Sequence, residues 1–287
     1  MKAVFKHELS SYFTGLAGYV FGAFLLLFVG IYTMVYNISG GVSNFEYVPG
    51  SLAFIFLIIV PILSMRVISE EKKQKTDQLL YSLPINMTQV VVAKYAALMV
   101  VFLVPMLIVT MYPIFLGTFG EVYLPTAFAS LFAFYLLGGS LLAIGMFISS
   151  LTESQAVAAG INFVVLLIIY FMSDLANYAA FTARGSFIAL AIIVALFSVL
   201  FGFMTKSSFS GFTVGVVLEA VLIAVFTFKK ASFEGLVPSV MSKLSLFERF
   251  YAFVDGRFDV TAVVYYVSVS AVCIFLTVQS LEKRRWS

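Results

Sequence analysis

The sequence has little charge, one cysteine and one histidine. Lys, Arg, Asp and Glu make up 11% of its 287 residues, whereas soluble globular domains carry about 25%. Cys273 has no second cysteine for an intrachain disulfide, and with His7 as the one histidine the usual Cys and His metal spacings are excluded. No Ser–His–Asp set, His cluster or pair of carboxylates shares a predicted cavity, so the residues of a common enzyme active site are lacking.

What the sequence has in abundance is apolar residues, at 62%. A transmembrane helix needs roughly 20 predominantly apolar residues. Eight segments approach that length, at 15–36, 51–68, 94–117, 126–150, 156–174, 187–204, 212–228 and 261–281. We therefore predict an all-α fold, a polytopic bundle of about eight spans that forms one membrane domain over residues 1–287. The sixth and seventh segments are the shortest, and they fit either two short spans or a hairpin that dips into the membrane.

The first 13 residues have a different pattern, with an apolar side and a charged side. Phe5, Leu9, Tyr12 and Phe13 share one face of a helix, and the charged residues of this stretch lie elsewhere. This pattern predicts an amphipathic helix that lies in the membrane interface.

The distribution of Lys and Arg predicts the orientation, because cytoplasmic loops collect both residues. With the N-terminus inside, six of the 17 basic residues fall outside. The other eleven fall inside and are Lys2, Lys6, Arg66, Lys72, Lys73, Lys75, Lys94, Lys206, Lys283, Arg284 and Arg285. Both termini are thus expected in the cytoplasm. Five of the six outside charges lie in 229–260, which we interpret as a short amphipathic element at the outer interface.

The segment 69–92 is the one substantial polar stretch on the predicted cytoplasmic side. Ser69 is a candidate N-cap, Glu70 and Glu71 would follow in the first turn, and the lysines after them would face water or anionic headgroups. Four side chains share one side of such a helix before Pro84 stops it, and they are Thr76, Leu79, Leu80 and Leu83. A surface helix of this kind suits docking into a groove on a soluble partner, although an ordinary interfacial loop whose leucines touch lipid fits the same pattern. A second helix is expected from about Met87 through Lys94.

The same segment resembles the coupling region of type-2 ABC exporter permeases. The resemblance rests on EEKKQKTDQLLYSLP, in which the matching positions are Glu70, Glu71, Lys72, Thr76, Leu80, Tyr81 and Pro84, and on the downstream Lys94. Lys75 stands where that family commonly has glycine.

Two further stretches carry the resemblance. GMFISSLTESQAVAAG, residues 145–160, is similar to the family's tight turn between the fourth and fifth spans, with Glu153 where Asn is common. The last 44 residues, from LSLFERF to the LEKRRW tail, resemble the permeases of gliding-motility-type ABC systems. In that subgroup an extra helical pair, here 187–228, also occurs.

The resemblance implies a function and a set of partners. It implies a permease subunit in a bacterial plasma membrane, which pairs with a second permease chain, identical or different, and exports a substrate. It assigns ATPase coupling to Glu70, Glu71, Lys72, Thr76, Leu79, Leu80, Leu83 and Pro84, and a second cytoplasmic turn to Thr152, Glu153 and Ser154. The chain has no G-x-x-x-x-G-K-[ST] loop. ATP and Mg are therefore expected on a separate cytoplasmic ATPase chain, and neither a bound cofactor nor a nucleic-acid partner is expected for this one.

Glu219 supports an alternative function. It lies about midway along the seventh apolar segment, where an ionisable side chain is costly and marks a candidate functional site. The alternative is an ion-coupled secondary transporter that uses Glu219. A hydrogen bond between helices, or a position nearer the interface, explains the same residue without transport. A third hypothesis is a membrane-embedded enzyme or scaffold, but the sequence lacks a set of catalytic residues that would support an enzyme. Gly138, Gly139, Gly145 and Gly160 are interpreted as sites of close helix packing.

Overall fold

A computed structural model describes residues 2–76, 86–178, 182–205 and 208–285, and these ranges contain helices and turns but no strand. The helices of the first half are α1 (Lys2–Thr14), α2 (Ala17–Thr33), α3 (Tyr47–Leu52), α4 (Phe56–Ser64), α5 (Ser69–Gln74), α6 (Met87–Val109) and α7 (Met111–Leu116). Those of the second half are α8 (Leu124–Leu151), α9 (Gln155–Tyr170), α10 (Met172–Tyr178), α11 (Ala183–Thr205), α12 (Ser208–Phe228), α13 (Leu236–Leu244), α14 (Leu246–Val254) and α15 (Val260–Arg285). The predicted all-α polytopic fold is confirmed.

Five helical stretches of the described chain are long and apolar enough to cross a membrane. They are Ala17–Ser39, Tyr47–Gln74, Met87–Leu116, Leu124–Leu151 and Val260–Arg284. The other three of the eight predicted segments fall on shorter apolar stretches, Gln155–Tyr170, Ala183–Ile192 and Gly215–Phe228. Each predicted segment is thus helical, and five reach the length and apolarity that a span requires.

The chain divides into two compact units, of which the second is Tyr170–Ser245. Its main feature is a pair of contacting helices, α11 and α12. The rings of Phe187, near the start of α11, and Phe226, near the end of α12, lie 4.6 Å apart between centroids, so the two helices are antiparallel. The sixth and seventh predicted segments therefore form a helical hairpin.

The first unit, Met1–Ile169 with Leu246–Ser287, is built around α8. This helix contacts α4, α6, α14 and α15, and more than half of its residues are buried. An aromatic cluster fills the centre, with the Phe56 and Phe134 rings 4.4 Å apart and Phe102 and Phe250 on either side. A Cβ on Gly138 would lie 2.4 Å from the Phe102 ring. A glycine at this position is thus what lets α8 approach the aromatic cluster.

A buried hydrogen bond joins α4 and α9 at a point where α8 packs against both. The Asn162 side-chain amide, 1% exposed, donates to the Ser64 hydroxyl at 2.9 Å, and Ser64 donates to the Val60 carbonyl at 2.7 Å. Gly145 of α8 faces this pair, and a Cβ there would lie 2.2 Å from the Ser64 oxygen. Hydrogen bonds of this kind hold membrane helices together where small residues permit close approach. Gly160, by contrast, has no atom within 4 Å of a Cβ position among the described residues, so the predicted packing role does not hold for it there.

Residues 229–260 contain two helices, α13 and α14, where the sequence predicts one amphipathic element. Helix α14 lies in the first unit and buries its apolar side against α8 and α3. The Tyr266 hydroxyl of α15 donates to the Leu246 carbonyl at 2.8 Å, and Gly256, just beyond α14, lies beside Thr126. Helix α14 therefore packs against the Leu124 end of α8. The predicted coupling segment lies at the opposite end of α8.

Candidate coupling site

The coupling segment begins with α5, which is shorter than the sequence predicts. A single helix from Ser69 to Leu83 is wrong, because α5 ends at Gln74. The expected N-cap role of Ser69 is also wrong: its hydroxyl is buried and donates back to the Met65 carbonyl. Glu70 and Glu71 do lie in the first turn, where their charge favours the positive end of the helix dipole.

Lys75 explains why α5 stops. Its backbone is left-handed, with φ 57° and ψ 20°. The Thr76 N–H donates to the Glu71 carbonyl at 3.0 Å and the Lys75 N–H to the Lys72 carbonyl at 3.2 Å, which is the Schellman arrangement that ends many helices. Glycine adopts this conformation without cost, whereas a Cβ is crowded by it. Lys75 thus takes a glycine conformation at the position where the resembled permeases commonly have glycine.

We expect Lys75→Gly to raise the free energy of unfolding by about 1 kcal/mol, because the left-handed conformation costs a residue with a Cβ about that much. Lys75→Val should lower it, since a branched Cβ is crowded further in this conformation. The thermal midpoint of the purified protein in detergent measures both changes. Lys73→Gly, at an exposed position in the last turn of α5, is the matched control and should be destabilising. A lower midpoint for Lys75→Gly would contradict the assignment of strain to this residue.

Lys94 lies at the centre of the site. It stands on the second turn of α6 and is 1% exposed. Its amine donates to Glu8 of α1 at 2.5 Å, to Glu71 of α5 at 2.8 Å and to the Val67 carbonyl at 3.2 Å. An ammonium group has three N–H donors, so these contacts use all of them. We call Lys94, Glu8 and Glu71 the Lys94 cluster.

Helix α1 forms one wall of the site. It packs against α6 and α2, and it buries Tyr12 while Phe5, Leu9 and Phe13 remain half-buried. The Tyr12 hydroxyl is 3.5 Å from the Leu63 carbonyl, and burial, followed by the charge of Glu8, raises its pKa above the usual range. A groove of about 510 Å³ runs between α1 and the α5 segment above the Lys94 cluster. The predicted amphipathic helix is therefore present, with its apolar face against the bundle.

The start of α5 is bonded to the end of α8. The Ser149 hydroxyl accepts the Ile68 and Ser69 N–H groups at 3.2 and 3.1 Å and donates to the Met65 carbonyl at 2.9 Å. The Lys72 amine donates to the Ser150 carbonyl, one of the last carbonyls of α8, where a cation is favoured by the helix dipole. Lys72 is 5% exposed, so the expectation that it faces water is wrong.

The turn predicted after the fourth span lies between α8 and α9, at the same end of α8, and its cytoplasmic location stays a prediction. Thr152, Glu153 and Ser154 separate α8 from α9. Glu153 pairs with Arg284 of α15 at 2.8 Å, and Ser280 donates to the Ser150 carbonyl at 3.2 Å. Helix α1 and the last turns of α15 therefore lie at one end of the first unit.

Three groups of predicted site residues have different outcomes. Glu70, Glu71, Lys72 and Thr76 are brought together around α5, and Glu70 also pairs with Arg66 at 2.9 Å. Leu79, Leu80, Leu83 and Pro84 lie outside the described residues. Glu219 lies half-buried on α12 in the second unit, and its role stays a prediction.

Two residues of the site were missed from the sequence, Glu8 and Ser149. The spacing of α1 contains a signal for the first. Glu8 lies three residues after Phe5 and four before Tyr12, so it shares their helical face and not the charged one. Ser149 has no such signal, because its role depends on where α5 meets α8.

The chain was compared with known proteins. A family model described as ABC-2 family transporter protein matches residues 3–234. Neither the curated proteins nor the solved structures contain a match.

Proposed function

The chain belongs to the ABC-2 transporter family, and from this premise we propose that it is the permease subunit of an ATP-driven exporter whose ATPase is a separate cytoplasmic chain. The observation that carries the proposal is the attachment of α5. Its first turn is bonded to Ser149 and Ser150 of α8 and its Glu71 to Lys94 of α6. A force applied to this segment is passed to two membrane helices through hydrogen bonds and ion pairs and not through a loose loop.

We place the Lys94 cluster on the cytoplasmic side. The exposed charges around it include Lys2, Lys6, Lys73 and Lys75, and an excess of basic residues is typical of cytoplasmic surfaces. In this orientation both ends of the chain are cytoplasmic. The ATPase, which holds ATP and Mg, docks on the segment that begins at α5 and on the Thr152–Ser154 turn.

The rearrangement follows from the same contacts. When the ATPase closes on ATP, the α5 segment moves with it, and its hydrogen bonds to Ser149 and Ser150 carry that motion to the end of α8. Helix α8 in turn contacts α4, α6 and α15. A second permease chain, identical or different, completes the path for the substrate, as the family resemblance implies.

The proposal is tested by a mutation on the predicted docking side of the coupling segment, which carries Thr76, Leu79, Leu80 and Leu83. Such a mutation should weaken binding of the ATPase. We expect Leu80→Asp to reduce co-purification of the proposed phosphate-loop ATPase by at least about tenfold, because a buried hot-spot residue contributes about 2 kcal/mol or more to an interface. The chain should still be produced in normal amount and run as one species on size exclusion.

Phe119→Asp is the matched control. Phe119 is 78% exposed in the loop that precedes α8, at the end away from the Lys94 cluster, so this change should leave ATPase binding intact. Equal recovery of the ATPase with Leu80→Asp and with the wild type would contradict the coupling role. Export by the reconstituted complex that continues without ATP and follows a proton or sodium gradient would favour the Glu219 alternative instead.

A further inference from the structure

Helix α1 is held by the same amine that holds the coupling segment. Along the chain α1 is connected to the bundle only at its end, where two residues separate it from α2. Nevertheless Glu8, in its middle, is 2.5 Å from the Lys94 amine, and Glu71 is 2.8 Å from that amine. Three separate elements, α1, α5 and α6, thus meet at one buried nitrogen.

The geometry of this meeting point limits how the elements can move. The three donors of the amine are used by Glu8, Glu71 and the Val67 carbonyl. Hydrogen bonds weaken steeply once distance and angle leave their normal range. A displacement of the α5 segment by more than about one ångström therefore either takes the amine and α1 with it or breaks one of the two carboxylate contacts, and a broken contact leaves a charge of low exposure without that partner.

We infer that α1 is a working part of the coupling element, and that Lys94 is the positioning residue that makes α1 and the α5 segment move together. The inference rests on the proposed function. As a consequence, a movement of the α5 segment also moves α1, which we place at the membrane surface. Lys2 and Lys6 of that helix are exposed, whereas its Tyr12 is buried against the bundle.

The ion pair between Glu8 and Lys94 can be removed while the buried amine keeps a charged partner. In Glu8→Gln the Lys94 charge still has Glu71, and an amide of nearly the same shape replaces the carboxylate. This variant should therefore fold. Glu70→Gln is the matched control. Glu70 lies beside Glu71 on α5, but its partly exposed ion pair is with Arg66 and not with Lys94.

The first experiment uses the permease alone, in nanodiscs of phosphatidylethanolamine and phosphatidylglycerol. Spin labels at Ser10→Cys of α1 and Thr76→Cys beyond α5, both exposed positions, report the distance between the two elements after Cys273→Ser removes the native thiol. We expect one narrow distance for the wild-type cluster and for Glu70→Gln, and a second, longer distance for Glu8→Gln. An unchanged distribution for Glu8→Gln would overturn the inference.

The second experiment uses the complex with its ATPase and separates positioning from plain stability. We expect Glu8→Gln to bind as much ATPase as the wild type but to lose most of the change in ATP hydrolysis rate that permease binding causes. A coupling loss of about tenfold corresponds to a typical coupling between sites. Normal regulation of the ATPase by Glu8→Gln would also overturn the inference. If no ATPase binds the wild-type chain, the proposed function fails, and the spin-label distances still decide whether Glu8 joins α1 to the α5 segment.

Discussion

Lys94→Met is expected to lower the free energy of unfolding by about 3–5 kcal/mol, the usual cost of removing one member of a buried ion pair. Methionine has a similar length, so little packing is lost. What is lost is the charge: Glu8 and Glu71 approach each other at the place of the missing amine, with side chains 12% and 26% exposed. We expect a large drop in the amount of monodisperse protein and in its thermal midpoint.

The control for this change is Lys73→Met, at an exposed lysine of α5 that is not part of the Lys94 cluster, which should leave the midpoint nearly unchanged. The triple variant Lys94→Met, Glu8→Gln and Glu71→Gln should recover much of the loss, because it removes the uncompensated charge. Fluorescence-detected size exclusion over a temperature series measures all three. A midpoint for Lys94→Met equal to that of Lys73→Met would mean that the cluster contributes nothing to stability.

Gly145→Ala is expected to destabilise the bundle by about 1–3 kcal/mol, the range found when a methyl group is forced into a well-packed core. The new Cβ would lie 2.2 Å from the Ser64 hydroxyl and 2.6 Å from the Asn162 amide nitrogen. Both atoms must move, and the hydrogen bond between them is broken or lengthened. Helices α4, α8 and α9 would then be pushed apart around Ser64, Gly145 and Asn162.

Gly160→Ala, on α9 near Asn162, supplies the matched comparison. A Cβ at this position meets no described atom within 4 Å, and alanine is the better helix former. This variant should therefore be neutral or slightly more stable than the wild type in the same thermal assay. Equal destabilisation by both changes would show that helix propensity, and not the space around Gly145, decides the outcome.

The sequence predicts the helices well because the membrane imposes a simple rule. A span must be long, apolar and helical, and each of the eight predicted segments is helical in the structure. The charged residues follow no such rule. Lys72 was expected in water, and its aliphatic chain instead reaches the end of α8, a contact that depends on the packing of two helices distant in sequence.

The end of α5 illustrates a second limit. Lysine is a good helix former, so helix propensity gives no sign of a left-handed residue at Lys75. The one signal is the family resemblance, in which glycine is common at this position, and the structure shows that Lys75 adopts the conformation a glycine would. Glu8 lay within reach of sequence reasoning, since its spacing places it on the buried side of α1. Its pairing with Lys94 on α6 could not be predicted, because the two residues are 86 positions apart in the sequence.

Helix α8 differs from α4 and α6 in one respect that bears on how motion passes from one end of the bundle to the other. Pro61 lies inside α4 and Pro105 inside α6, whereas the 28 residues of α8 contain Pro125 only in the first turn. An unbroken helix of that length is a stiff rod of about 42 Å, and a rod turns or slides as one body where a jointed helix bends. A small push at Ser149 is therefore expected to reach Thr126 and α14, at the opposite end of α8, with little lost to bending along the way.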